Sequence, residues 1–257
     1  MEDRVAPCFI DTHCHLDLYN EGEISIENII KNARDSRVKI IVANGVNPDS
    51  NRKVLAFAEK YSEIKASLGF YPIDALKYSN TEIDEELRFI ESNKEKIIAI
   101  GEVGMDFKED DSHLACQKEV FAKIIQLAIK INKPLIVHSR KAEEEVVGLL
   151  EKFKVEKALM HCFSGNFSLV KRIVENNWTL TIPTNVKFSE HFQKIIAGVP
   201  IKNLLCETDS PYLHPDKKWP NEPSNVIESY KRISEIKQIP LEKVKKMLFE
   251  NYLRLFF

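Results

Sequence analysis

Two histidines near the start of the chain have the spacing of a metal chelate. The segment Cys8–Asp17 reads CFIDTHCHLD, so an apolar run ends in His13 and His15. Side chains alternate between the two faces of a strand, and these two imidazoles therefore point to the same side. Neutral imidazole is the commonest side-chain ligand of transition metals. The pattern predicts a metal site at the end of this strand, although a pair of histidines without a metal has the same spacing.

Four further potential ligands follow, each at the end of a strand-like segment. They are Glu102, His138, His161 and Asp209. One histidine at a strand end is more often an ordinary polar residue than a ligand. Six candidates on five strand ends are hard to assign to chance, so we predict that all six form one metal site.

The apolar segments that lead to these residues are short, β-branched and nearly continuous. Such runs are typical of strands buried on both faces of a parallel sheet. The sequence predicts eight of them, near Phe9–His15, Val38–Asn44, Ile64–Leu68, Ile97–Glu102, Pro134–His138, Ala158–His161, Trp178–Ile182 and Leu204–Asp209. Segments with helical periodicity separate them, the longest spanning roughly Ser112–Ile131.

Alternating strands and helices of this number predict an α/β fold, a (β/α)8 TIM barrel formed as a single domain over residues 1–257. The metal site would lie at the C-terminal ends of the strands, where the chemistry of such barrels collects. An open, doubly wound sheet is the alternative. It would normally show a glycine-rich phosphate turn after the first strand, and this chain has none.

Length, charge and cysteine content narrow the class of protein. A chain of 257 residues with 44% hydrophobic residues can bury a large core. Its formal net charge of -2 argues against a protein that coats duplex DNA, but leaves room for a nuclease that holds a strand end. Five cysteines without a CxxC pair indicate reduced thiols and a cytoplasmic location, and we expect Cys14 and Cys162 to be core residues. We expect no signal peptide, membrane span or membrane partner.

Four histidines and two carboxylates suit two divalent ions better than one. A bridging carboxylate can hold two ions about 3.5–4 Å apart, and Glu102, from the middle of the barrel, is the natural bridge. The other ligands divide into a more complete set and a more open set, namely His13, His15 and Asp209, and His138 and His161. Imidazole-rich ligation favours zinc, manganese or iron over magnesium.

Five ordered motifs carry a resemblance to a known family. They are the His13-Cys14-His15 strand, Gly101–Asp106 (GEVGMD), Val137–Arg140 (VHSR), His161–Gly165 (HCFSG) and Glu207–Leu213 (ETDSPYL). Together with Asn221-Glu222-Pro223 and Asn251–Phe256, they resemble the TatD family of metal-dependent deoxyribonucleases over essentially the whole chain. The resemblance implies a TIM barrel, hydrolysis of DNA phosphodiesters and the same six ligands. It also implies activity with magnesium and a role for Glu207 beside the metals, as a third catalytic carboxylate with Glu102 and Asp209.

The chain departs from the family pattern at two places where substrate would be held. Gly69-Phe70-Tyr71-Pro72 stands where the family usually has Gly-x-His-Pro, and Lys217–Pro220 replaces a run of arginine, glycine and lysine. The candidate substrate-binding residues are Arg140, Tyr71, Lys217, Lys218 and Trp219. Their cations could contact phosphates and their rings could stack on bases, while ordinary loop packing is the alternative.

We predict a hydrolase with two divalent ions (zinc, manganese or magnesium) that acts on DNA, on single strands or strand ends, as an exonuclease. Such ions generate hydroxide near neutral pH, and Asp209 is the expected general base. A barrel does not fix its substrate, so an amidohydrolase-type enzyme for a small ester, lactone or amide stays open. A metal-binding adaptor protein with weak catalysis is a further alternative.

Overall fold

Eight parallel strands form one sheet in the computed structural model, which describes residues 6–19 and 24–257. Each strand pairs with the next along the chain, in the order β1 to β8, so the sheet curls into a nearly closed barrel. The strands are β1 (Phe9–Cys14), β2 (Val38–Asn44), β3 (Ile64–Leu68), β4 (Ile97–Gly104), β5 (Leu135–His138), β6 (Ala158–Met160), β7 (Thr179–Pro183) and β8 (Leu204–Glu207). This architecture confirms the predicted TIM barrel and excludes the open doubly wound sheet.

Helices separate the strands and cover the outside of the barrel. They are α1 (Ile26–Asp35), α2 (Pro48–Lys60), α3 (Pro72–Ala75), α4 (Asn80–Ser92), α5 (Leu114–Ile131), α6 (Glu143–Lys152), α7 (Phe167–Glu175), α8 (Glu190–Gly198), α9 (Ile227–Lys237) and α10 (Leu241–Phe256). Among the described helices, none is long and apolar enough to cross a membrane. Residues 1–5, part of the N-terminal stretch predicted to carry no signal peptide, lie outside the described residues.

Buried residues line nearly the whole length of every strand. All residues of β1, β6, β7 and β8 are buried, as expected for strands with the barrel interior on one face and helices on the other. Two strands are shorter than the sequence predicts. β6 ends at Met160 and β8 at Glu207, so His161 and Asp209 lie just beyond them. Asp209 adopts a φ of 53°, which a strand does not allow.

The seam between β8 and β1 closes the barrel mainly through loop backbone and side chains. One isolated parallel bridge joins Cys14 to Ser210. The Asp209 N–H donates to the His13 carbonyl oxygen at 3.0 Å, and the His15 N–H donates to the Ser210 carbonyl oxygen at 2.7 Å. Closing the barrel therefore also aligns three of the predicted metal ligands.

A buried carboxyl group, that of Asp11, supports this seam. Its Oδ1 accepts hydrogen bonds from the Thr208 N–H at 2.9 Å and the His13 N–H at 3.3 Å, and its Oδ2 accepts from the Thr208 hydroxyl at 2.5 Å. Burial raises the pKa of Asp11 well above its usual value, although the bonds from Thr208 oppose the shift. The seam therefore needs the acceptor atoms of Asp11 more than its charge.

We expect Asp11→Ala to lower the free energy of unfolding by about 2–3 kcal/mol, because it leaves buried N–H donors without acceptors. Asp11→Asn is the matched control. It keeps one oxygen acceptor and should cost less than about 1 kcal/mol. Urea unfolding of the two variants measures the difference, and equal losses in both would contradict a seam held by neutral hydrogen bonding.

Candidate metal centre

Four donor atoms from β1, β4 and the loop after β8 surround one point at the barrel mouth. His13 Nε2 and His15 Nε2 lie 3.1 Å apart. Glu102 Oε2 is 3.6 and 3.2 Å from these two nitrogens, and Asp209 Oδ1 is 3.5 and 3.6 Å from them. Ligands about 2.0–2.1 Å from a tetrahedral zinc ion are about 3.4 Å apart, so the donor set fits such an ion.

The second oxygen of Glu102 faces a different pair of histidines. Glu102 Oε1 lies 2.9 Å from His138 Nδ1 and 3.7 Å from His161 Nε2. The donor atoms of Glu102 and His161 also come within 4.8 Å of His13, whose ring stacks on that of His161. The two oxygens of one carboxylate thus face two clusters of imidazole nitrogen, which is the geometry of a bridging ligand.

Close backbone packing fixes the position of Glu102. Its N–H donates to the Gly45 carbonyl oxygen at 2.9 Å, and the Ser67 hydroxyl donates to the Gly101 carbonyl oxygen at 3.0 Å. A Cβ atom on Gly69 would overlap the backbone of Gly101 and Glu102. Only glycine therefore lets the end of β3 approach the bridging residue this closely.

The charges of the centre are balanced internally. Burial alone would raise the pKa of Glu102, but hydrogen bonds from His138 and His15 hold it well below its usual range. Burial lowers the pKa of His161, yet the nearby carboxylates, Glu207 first among them, raise it to about 9. Burial and the charge of His161 lower the pKa of His13. Divalent ions would replace protons here, since imidazole must be neutral to bind a metal.

The structure separates the two carboxyl groups of the Glu-Thr-Asp motif. Asp209 is partly exposed and faces the cavity above the ligands. Glu207 is fully buried, and its carboxylate accepts from His161 Nδ1 and the Cys162 N–H, both at 3.0 Å. Asp209 can therefore reach a substrate, whereas Glu207 acts through His161.

A cavity of about 680 Å³ opens above the ligands. Tyr71 and Arg140 line it, in keeping with their selection as candidate substrate contacts. The loop after β8 contributes Tyr212 and Leu213 to its wall, but Lys217, Lys218 and Trp219 are not among the lining residues. Trp219 lies beside the cavity, with its ring 5.7 Å from that of Tyr212, while Lys217 Nζ lies 4.6 Å over the Phe188 ring.

One cysteine is placed differently from the prediction. Cys14 is a buried core residue as expected, and its thiol faces the Val42 carbonyl oxygen. Cys162 instead lines the cavity, with a φ of 41°. Strand alternation does not apply to it because β6 ends two residues earlier.

Sequence reasoning missed one buried carboxyl group that contacts a predicted ligand. Asp106 Oδ2 lies 2.8 Å from His138 Nε2 and accepts from the Tyr71 hydroxyl at 2.9 Å. The residue belongs to the GEVGMD motif, and its position two residues after β4 is the only local signal of its role.

Comparisons with known proteins agree with this geometry. The family model for TatD-related DNase matches residues 10–257. This chain belongs to the TatD family. It is 35% identical to an uncharacterised metal-dependent hydrolase of Methanocaldococcus jannaschii, over 96% of both chains. It is 32% identical to the human protein named Deoxyribonuclease TATDN3, over 96% of this chain and 94% of that one.

Solved structures of the TatD family share the fold of this chain. The TatD homologue YJJV of Escherichia coli superposes with a TM-score of 0.90 at 26% identity, covering 96% of this chain and 97% of that one. The protein is therefore a TatD-family enzyme, a metal-dependent hydrolase acting on ester bonds. The candidate ligand groups lie where such an enzyme needs its metal.

We expect Glu102→Ala to lower the bound metal to less than one ion per chain and to abolish hydrolysis, because both clusters lose a shared oxygen ligand. The metal-free fold should persist, since the core is apolar. Glu109→Ala, which removes another carboxylate of the cavity wall, is the control and should leave metal content unchanged. Elemental analysis after dialysis tests both variants, and full activity at normal metal content in Glu102→Ala would exclude the bridging role.

Proposed function

We propose that this protein is a deoxyribonuclease that removes nucleotides from the ends of DNA strands with two divalent ions. The observation that carries the proposal is the bridging position of Glu102, between two sets of imidazole nitrogens at the base of the cavity. The human relative named a deoxyribonuclease supports DNA as the substrate. A single recess of about 680 Å³ suits a strand end better than an internal stretch of duplex.

The proposed ions are zinc or manganese, because four of the six ligands are imidazoles, with magnesium as the ion implied by the family. When bound, they would activate a water molecule and neutralise charge on the phosphoryl oxygens. We assign the ligands as first inferred from the sequence: His13, His15, Glu102 and Asp209 for one ion, and Glu102, His138 and His161 for the other. The whole chain, 1–257, would act as one domain. Its unpaired cysteines support a cytoplasmic location.

Asp209 is the proposed general base. Its carboxylate lies at the boundary between the buried ligands and the cavity, so it can accept a proton from the attacking water and return it to the leaving oxygen. Glu207 is too buried to touch a substrate, and we assign it to holding His161 in place.

Arg140 is the proposed phosphate contact. Lys77 and Arg140 are cations of the cavity wall, but Lys77 Nζ is bound to Asp74 Oδ1 at 2.5 Å. Arg140 forms no ion pair within the described ranges, residues 6–19 and 24–257. Tyr71, Lys217, Lys218 and Trp219 would contact the strand farther from the ions, with Trp219 and Tyr212 offering rings on which a base could stack.

Asp209→Asn should lower kcat on a 3′-labelled single strand by at least about 100-fold, because it removes the proton acceptor. Asp216→Asn, on the same loop, is the control. That carboxylate is exposed and pairs with Lys187, so its loss should leave kcat unchanged. Wild-type rates for Asp209→Asn across a range of pH values would rule out the general base assigned here.

Arg140→Ala should weaken the binding of a short single strand in the presence of metal. If the guanidinium contacts one phosphate, the slope of log K against log salt should become shallower by about 0.7. Lys141→Ala removes a neighbouring exposed cation outside the cavity wall and should leave the slope unchanged. Fluorescence anisotropy at several salt concentrations measures both. An unchanged slope for Arg140→Ala, together with turnover of a neutral ester, would favour the small-ester hydrolase.

A further inference from the structure

The four imidazoles of the metal centre differ in what their outer nitrogens contact. The outer nitrogen of His161 faces the buried carboxylate of Glu207, and that of His138 faces the buried carboxylate of Asp106. His15 Nδ1 has only the carbonyl oxygen of Asn44, at 3.3 Å. His13 Nδ1 has no hydrogen-bond partner within the described part of the chain. Charged partners are thus confined to the two histidines of the more open cluster.

Asp106 is held in a fixed position by its surroundings. The residue is fully buried, and its backbone N–H and carbonyl both bond to the amide of the buried Gln117, at 2.8 and 3.2 Å. Its Oδ1 accepts from the N–H groups of Lys108 and Glu109, at 2.8 and 2.9 Å. Only Oδ2 is directed at the metal centre, where it contacts His138 Nε2.

The hydroxyl of Tyr71 completes the shell of this oxygen. It donates to Asp106 Oδ2 at 2.9 Å, and burial together with the nearby carboxylates raises the pKa of the phenol above its usual value. A phenol that stays protonated supplies a hydrogen bond without adding positive charge. Asp106 therefore keeps its negative charge for His138, which a protonated histidine at position 71 would partly neutralise.

We propose that Asp106 and Tyr71 are positioning residues that keep the proton of His138 on Nε2, so that Nδ1 is free to bind the second ion. The inference rests on the proposed metal centre and does not depend on DNA as the substrate. A histidine ligand whose other nitrogen donates to a carboxylate has a fixed tautomer and a fixed ring orientation. His138 Nδ1 already lies 2.9 Å from the bridging oxygen of Glu102, so the correct tautomer leaves its lone pair where an ion would need it.

Asp106→Asn isolates this effect. The asparagine oxygen can still accept from Lys108 and Glu109, but its NH2 group would face His138 Nε2. That nitrogen must then accept a hydrogen bond, and the ring proton moves to Nδ1, where it blocks the ion. Titration of the metal-free protein with Zn2+ should show a Kd for the second equivalent that is about 10- to 100-fold higher than in the wild type. The first equivalent should bind as before, and the absorption spectrum of the Co2+ form should lose the contribution of the second ion.

The matched control is Asp110→Asn, four residues along the same loop. Asp110 also pairs with a histidine and accepts backbone N–H bonds, but its partner His113 is exposed and outside the metal centre. Both Zn2+ equivalents should bind to this variant as to the wild type. Unfolding midpoints of the metal-free variants verify that the fold is intact. Should Asp106→Asn not fold, Tyr71→Phe decides, with an expected two- to fivefold weakening of the second equivalent, about the value of one hydrogen bond.

Wild-type Kd values for both equivalents and an unchanged Co2+ spectrum in Asp106→Asn, or unchanged Kd values in Tyr71→Phe if the first variant does not fold, would overturn the inference. A wild-type protein with a single ion that neither Asp106→Asn nor His138→Ala weakens would overturn it as well. A protein that shows the expected metal binding but hydrolyses no DNA would leave the inference standing and would overturn the proposed function.

Discussion

A buried carboxylate surrounded by imidazole nitrogen governs the organisation of this barrel. Placing the charge of Glu102 in an interior without water is unfavourable unless opposite charge and hydrogen-bond donors surround it. Four histidines provide these contacts, and each of the two carboxylate oxygens faces one pair of them. The close packing at Gly69 and Gly101 is needed because the bridging residue has to reach the axis of the barrel. The same balance prepares the site for divalent ions, which can replace the protons on the imidazoles.

Barrel closure and metal binding depend on the same short stretch of backbone. The ends of β1 and β8 meet through the Cys14–Ser210 bridge and through hydrogen bonds to Asp11. These contacts place His13 and Asp209 on either side of one point. A change that loosened the seam would therefore alter the ligand distances as well as stability, although Asp11 itself touches no substrate.

A layer of buried carboxyl groups lies behind the more open pair of histidines. Glu207 and Asp106 hold His161 and His138 from outside, and both come from loops or strand ends fixed by further hydrogen bonds. This arrangement offers rigidity where the ligand set is smallest. Above it, the cavity wall carries more carboxylates than free cations, so bound divalent ions would have to supply much of the attraction for a polyanion. Arg140 is placed to add to that attraction.

The sequence by itself determined the eight strands, their order and the residues at their ends. Parallel strands of a barrel bring all their C-terminal ends to one edge, so residues far apart in the chain could be assigned to one place without knowledge of side-chain positions. Only the tertiary structure decided which nitrogen of each histidine faces the centre, that Glu207 is buried while Asp209 is accessible, and that Tyr71 contacts Asp106. The regular alternation of side chains ends with the strand, and beyond it loop dihedral angles, such as the φ of 53° at Asp209, set the direction. Contacts between residues 35 or 46 positions apart leave no local pattern from which they could be read.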